Sequence, residues 1–346
     1  MDEEMWEEVA IEKETKRVLT EEFGDRGREI FNRYEEARTG LLIDVLPWIP
    51  AIEPELTDHG PDHVKQVLEY SYKLIRPNHN TKSYPLRPIE MFFLILCIVF
   101  HDAGNIEGRQ NHQHNVANAY DHVRSRASSE LREKTLLLKV VGAHSGKTAT
   151  GSIDTLAELE NGEHLFSESL RLREVAALLR FSDELSEGRL RTSRYMIDAG
   201  KFQRGNQVYH DYADAVSMHI DGGNNRIAIS FDIAVEVGGR RGNRSIENEG
   251  SFRDLLDFIQ LRVMKVNAER RYARYYCQSL EPFKETSVTL TLHVNGEILD
   301  LGLRPAVFTD LEVPPDPEKA KRICDQYPEY STQSILDCLL EANRRR

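Results

Sequence analysis

Met91-Phe92-Phe93-Leu94-Ile95-Leu96-Cys97-Ile98-Val99-Phe100-His101-Asp102-Ala103-Gly104-Asn105 is the stretch whose reading decides the fold. An apolar run without polar interruption has no solvent face, so it predicts a helix buried on all sides and packed among other helices. It is too short for a membrane span. It begins near Pro88-Ile89, where proline suits a first helical turn, and ends in two adjacent metal-ligand side chains, His101 and Asp102. Imidazole nitrogen and carboxylate oxygen together suit divalent ions. Such an ion makes hydroxide from water near neutral pH and polarises a phosphoryl oxygen.

Ligand-type residues recur on the neighbouring helical patterns. Thr57 or Asp58, followed by Pro61, predicts the start of a helix running through Val64, Val67 and Leu68 to Ile75. His59 and His63 lie one turn apart at its beginning. His112 and His114 open a pattern over 112–126, His144 ends one over 129–143, and Asp183 falls late in one over 168–185. Residues 3–48 also read as helical and highly charged. Up to about Arg194 the sequence shows no convincing strand. Helices packed side by side can bring such residues to one point.

The character changes after that. Val208–Ile220 and Arg226–Val237 are rich in β-branched and aromatic residues, and Gly222-Gly223-Asn224-Asn225 between them predicts a hairpin. Gly238-Gly239-Arg240-Arg241-Gly242-Asn243-Arg244 reads as a loop, Ser251–Leu280 as a long helix, and Ser287–Val294 with Glu297–Leu301 as a second hairpin about Asn295-Gly296. The fold class expected is mainly α. Its parts are an N-terminal helical extension (1–54), an all-helical metal-binding domain (55–195), a small α+β subdomain with hairpins and a long helix (196–313), and a helical tail (314–346).

The order His63, His101-Asp102, Asp183 resembles the HD-domain superfamily of metal-dependent phosphohydrolases. So do the contexts Asp58-His59-Gly60-Pro61-Asp62-His63, Phe100-His101-Asp102-Ala103-Gly104-Asn105 and Leu178-Leu179-Arg180-Phe181-Ser182-Asp183. The resemblance covers about residues 55–195, and the closest subgroup is the HD domains of bacterial conflict and defence loci. It implies a mononuclear ligand set of His63, His101, Asp102 and Asp183, with His114 and His144 matching the histidines that binuclear members add. Asn105 departs from the cyclic-dinucleotide phosphodiesterases, which carry lysine after the glycine and a later Gly-Tyr-Pro element, and this counts against cyclic di-GMP as substrate.

From the residues themselves, His59, His112 or Lys147 can donate a proton or hold phosphate. Asn105 and His112 are candidate substrate contacts. Arg180, Arg189 and Arg191 are candidate phosphate grips, since a guanidinium pairs well with phosphate. The expected cofactor is one or two divalent ions, Mn, Fe, Ni, Co, Zn or Mg. The expected substrate is a phosphorylated small molecule, foremost a nucleotide. The net charge of −12 disfavours nucleic acid and anionic membrane as partners of the whole chain, and an oligomer is left open. Four scattered cysteines without CxxC spacing, and an acidic N-terminus, fit a cytoplasmic setting. Two other classes compete with hydrolysis: a regulatory module that binds a nucleotide without turnover, and a di-iron oxygenase.

Overall fold

The computed structural model describes residues 6–75, 83–110, 112–124, 128–144, 146–148, 151–240, 243–310 and 320–345. The chain is mainly helical and divides into two compact units. The first comprises Met1–Ser186 with Ala273–Glu281, the second Glu187–Tyr272 with Pro282–Arg346.

The first unit is built from α1 (Ala10–Phe23), α2 (Asp25–Asp44), α3 (Ile49–Ile52), α4 (Pro61–Leu74), α5 (Pro88–Phe100), α6 (His112–Val123), α7 (Ser128–Ala143), the strands β1 (Glu163–Leu165) and β2 (Glu168–Leu170), and α8 (Leu172–Leu185). Every residue of α5 from Ile89 to Phe100 is buried, and α1, α2, α4, α6, α7 and α8 all pack against it. By length and composition Pro88–Glu107 passes as a membrane span, yet 94% of that window is buried within the fold. Lining a helical core is therefore a sufficient account of its apolarity. Buried Glu90 fixes the start of α5. It accepts from the Arg87 backbone N–H at 2.9 Å, and from the Arg171 backbone N–H and Nε at 3.0 and 2.8 Å. This ties α5 to the chain entering α8.

The expectation of no strand before Arg194 is corrected here. β1 and β2 pair antiparallel through a two-residue turn in which Phe166 and Ser167 have φ of 52° and 68°. Each strand has three residues, too few to show alternation. The turn also lacks the Asn-Gly chemistry that marks this geometry in a sequence.

The second unit holds α9 (Arg194–Asp198), α10 (Gln207–Ala215), β3 (Val216–Asp221), β4 (Arg226–Val235), β5 (Val237–Arg240), β6 (Asn243–Ile246), most of α11 (Glu249–Tyr276), β7 (Glu285–Val294), β8 (Glu297–Leu299), β9 (Ala306–Thr309), α12 (Ile323–Gln326) and α13 (Thr332–Arg345). Both predicted hairpins form: β3 pairs with β4 from Asp221↔Arg226, and β7 with β8 from Val294↔Glu297. β4 and β7 pair in parallel, so the chain between them crosses over through α11. Three predicted boundaries change. The first half of Val208–Ile220 is helical, because its buried residues His210, Tyr212, Ala213 and Ala215 follow helical spacing. The glycine- and arginine-rich segment is not all loop, since Arg240 pairs with Asn243 across the β5–β6 hairpin; Arg241 and Gly242 lie outside the described residues, as does the proline cluster from Pro314. α11 begins at Glu249 and ends at Tyr276. Fully buried Arg270 stitches this unit together, donating to Thr286 Oγ1, the Phe283 carbonyl and both oxygens of Asp310.

Candidate metal centre

Five segments of the first unit deliver the ligand-type side chains, and each does so at a helix end or through a close helix contact. Proline at the first position of α4 starts that helix, which puts His63 in its first turn. Lower on α4, Ser71 Oγ donates to Ser182 Oγ at 2.8 Å, so two small buried residues let α4 and α8 approach and bring Asp183 towards His63. His101 caps α5. Gly104 then admits α6: a Cβ at that position would lie 1.9 Å from the His112 carbonyl oxygen. His144 follows the last residue of α7.

The ligand atoms of His63, His101, Asp102 and Asp183 all lie within 4.8 Å of one another. His63 Nε2 is 3.2 Å from Asp183 Oδ1 and 3.6 Å from Asp102 Oδ2. His101 Nε2 is 3.3 Å from Asp102 Oδ2 and 3.6 Å from Asp183 Oδ1. The two ring nitrogens face each other at 3.3 Å. A second group, Asp102, His112 and His144, meets the same 4.8 Å limit. It uses the other carboxylate oxygen: His112 Nε2 is 3.6 Å from Asp102 Oδ1. Asp102 is thus shared between the two groups, one oxygen to each side.

The rings are oriented by backbone carbonyls. Nδ1 of His101 contacts the Ile98 carbonyl at 2.7 Å, Nδ1 of His112 the Arg109 carbonyl at 3.2 Å, and Nδ1 of His144 the Val141 carbonyl. His59 Nδ1 does the same with Thr57. A carbonyl can only accept, so each Nδ1 donates, and each neutral ring turns a bare Nε2 inward. For His112 that Nε2 is buried and has no hydrogen-bond partner. Ring nitrogens and carboxylate oxygens that converge in this way fit a cation, and carbonyl-held histidines are the usual outer support of one.

Electrostatics agree with the donor set. Burial opposes a charged His101 ring, but Asp102 and Asp183 override it and raise the ring to about 10. Burial likewise opposes the Asp102 carboxylate, yet His101 and His59 hold it well below the usual range. Asp183 is held low against burial by His101 and His63. Burial, then the charge on His101, pushes His144 down to about 4. Burial also lowers His112, against the pull of Asp102. Asp102 and Asp183 therefore stay charged at neutral pH, and a divalent ion in place of the His101 proton would balance both carboxylates.

The other sequence candidates fall as follows. His59 stands beside the cluster, its Nε2 3.8 Å from Asp102 Oδ2. Asn105 is fully buried; its Oδ1 accepts from Arg109 and its Nδ2 has no partner among the described residues. Arg180 directs its guanidinium to Thr155 Oγ1 at 3.1 Å and the Ala143 carbonyl at 3.4 Å, bracing the end of α7. Lys147 is exposed. Arg191 belongs to the second unit, where it is buried and pairs with Glu187 at 3.3 Å. The side chain of His114 lies outside the described residues. Among the described residues the second group takes His112, a candidate substrate contact in the sequence. The reason is local: the Arg109 carbonyl fixes the His112 ring with Nε2 towards Asp102.

One residue at the centre was missed altogether. Arg109 reaches to 4.0 Å from Asp102 Oδ1 with about half its side chain exposed. A glycine-arginine pair a few residues past the doublet was the available signal. A cavity of about 380 Å³ in the second unit, lined among others by Arg189, Arg194, Asp211 and Asp232, includes none of the ligand residues.

A family model described as HD-CE matches residues 53–262. No curated protein and no solved structure matches the chain.

Proposed function

The chain belongs to the HD-CE family, and from that premise we propose that it is a metal-dependent phosphohydrolase acting on a phosphoester of the nucleotide class. The observation that carries the reading is Asp102, one carboxylate with a ligand group on each of its oxygens. His63, His101, Asp102 and Asp183 would hold one divalent ion, and Asp102, His112 and His144 a second. Such ions supply Lewis acidity, lowering the pKa of water and drawing charge from a phosphoryl oxygen.

The chain's own groups supply the rest. Asp183 is the ligand most open to solvent, with 27% of its side chain exposed against 5% or less for His63, His101 and Asp102, so substrate enters on its side. His59 places Nε2 3.8 Å from Asp102 Oδ2, beside the cluster, where it can carry a proton. In hydrolysis, water oxygen bonds to phosphorus as the ester P–O bond breaks, and His59 Nε2 takes the proton the water loses and passes it to the departing oxygen. A carboxylate shared by two metal sites equally suits a pair of irons, so oxygen consumption belongs in the same test.

The test is elemental analysis of protein purified without chelator beside Asp102→Ala, with both run through a phosphoester panel with added Mn. About two metals per chain, lost with activity in the variant, is the expected result. One metal with activity demotes the second group to substrate contacts. Metal without turnover of any phosphoester, or with oxygen consumption, overturns the hydrolase reading.

A further inference from the structure

We infer that Arg109 is a phosphate clamp of this centre, taking a phosphoryl group that carries two negative charges: a phosphomonoester or the terminal phosphate of a longer chain. The inference rests on the phosphohydrolase reading and names its substrate class.

The backbone of Arg109 is fixed on both sides. Its N–H donates to Glu53 Oε1 at 2.7 Å, and its carbonyl accepts from both the backbone N–H and the Nδ1 of His112. Gly108, at φ 99°, makes the turn that delivers it. The residue that orients a ligand of the second group therefore also carries a half-exposed guanidinium towards Asp102.

That guanidinium is underused. A guanidinium has five N–H donors, and among the described residues one is engaged, Nη1 to Asn105 Oδ1 at 3.4 Å. Its nearest carboxylate is Asp102 Oδ1 at 4.0 Å, the limit of an ion pair. With 49% of the side chain exposed, it can turn its free edge to a ligand without breaking a buried contact. Arg180, by contrast, turns Nη1 to the Ala143 carbonyl and Thr155 Oγ1. Beneath Arg109 lies Asn105, fully buried, with Nδ2 unpartnered. The remaining guanidinium donors and the Asn105 amide N–H have no hydrogen-bond acceptor among the described residues.

Charge selects the ligand. Asp102 and Asp183 bring two negative charges, which one divalent ion cancels and two exceed. Arg109 adds a positive charge in either case. The excess favours a dianionic phosphate over the single charge of an internal phosphodiester.

The experiment is titration calorimetry on the Mn-loaded full chain with two probes, inorganic phosphate and dimethyl phosphate, using wild type, Arg109→Ala and Arg109→Lys. Metal content and thermal midpoint are measured on each. The wild type should bind phosphate at least ten-fold tighter than dimethyl phosphate. Arg109→Ala should weaken phosphate binding about ten-fold or more, the scale of losing a charge-assisted contact, with metal content unchanged. Arg109→Lys should recover part of it. Phosphate binding equal in wild type and Arg109→Ala overturns the clamp while leaving the hydrolase reading intact. Equal affinity for the two probes overturns the dianion assignment. A metal-loaded wild type that binds neither probe overturns both the clamp and the hydrolase reading.

Discussion

Replacing Gly104 by alanine should dismantle the second ligand group while leaving the first in place. The added Cβ would sit 1.9 Å from the His112 carbonyl oxygen, 2.8 Å from its carbon and 2.9 Å from the Val116 nitrogen, whereas real Cβ contacts essentially never fall below 3.0 Å. All three are backbone atoms of α6, so no rotamer change relieves the clash. The start of α6 must withdraw by roughly 1.1 Å, the difference between 3.0 and 1.9 Å. His112 Nε2 now lies 3.6 Å from Asp102 Oδ1. Added to that distance, the retreat gives about 4.7 Å, longer than the ~4.2 Å that two ligand bonds of ~2.1 Å can span. Overpacking of this kind costs about 1–3 kcal/mol, which for a unit of this size lowers the thermal midpoint by roughly 2–12 °C. Elemental analysis should find about one ion where the wild type holds about two. Gly142→Ala is the control: it sits in the last turn of α7, where an added Cβ would meet no atom within 4 Å, and should keep both metal content and midpoint. Gly104→Ala with wild-type midpoint and full metal content would refute the reasoning.

Two further outcomes follow from the same structure. Glu90→Gln should destabilise the chain by about 2–3 kcal/mol, because a buried carboxylate that serves Arg87 and Arg171 loses its charge; urea unfolding that shows less than about 1 kcal/mol would mean that the pair is dispensable. Metal uptake should release protons, because His101, raised to about 10 by Asp102 and Asp183, still holds its second proton at pH 8 and must lose it to bind an ion. Affinity should therefore fall as pH falls, about ten-fold per unit below pH 10, and calorimetry in buffers of different ionisation enthalpy at pH 8 should report about one proton per chain; none released would show that His101 is no ligand.

The helical part of the fold was legible because its signals are long. An unbroken apolar helix, proline at the starts of α4 and α5, and charged helices with apolar stripes all survive the averaging of a sequence window. The hairpin about Gly222–Asn225 was legible for the opposite reason, since turn chemistry acts over a few residues. What escaped lies between these scales. β1 and β2 are too short to alternate, and α10 carries the β-branched and aromatic residues of a strand on a helical spacing. The parallel pairing of β4 with β7 spans the whole of α11, and no local pattern encodes a partner that far along the chain.

For the metal centre, residue types were legible but not which histidine turns inward. Nothing in the spelling around His112 marks it as a ligand rather than a substrate contact. The discriminator is a carbonyl three residues back. His101, His112 and His144 each place Nδ1 on the carbonyl of residue i−3, namely Ile98, Arg109 and Val141, the carbonyl that also takes the same residue's backbone N–H. At His101 and His144 this occurs where a helix ends and its last carbonyls lack helical partners. A ring there takes its Nδ1 partner from the backbone. That explains how three ligands can be supplied from three chain turns inside an apolar core that offers few polar groups to position them. It also explains why the signal in the sequence is a histidine at a helix boundary rather than a spaced motif, and why Arg109, whose carbonyl orients His112 while its side chain stays half-exposed, belongs to the centre although no ligand pattern includes it.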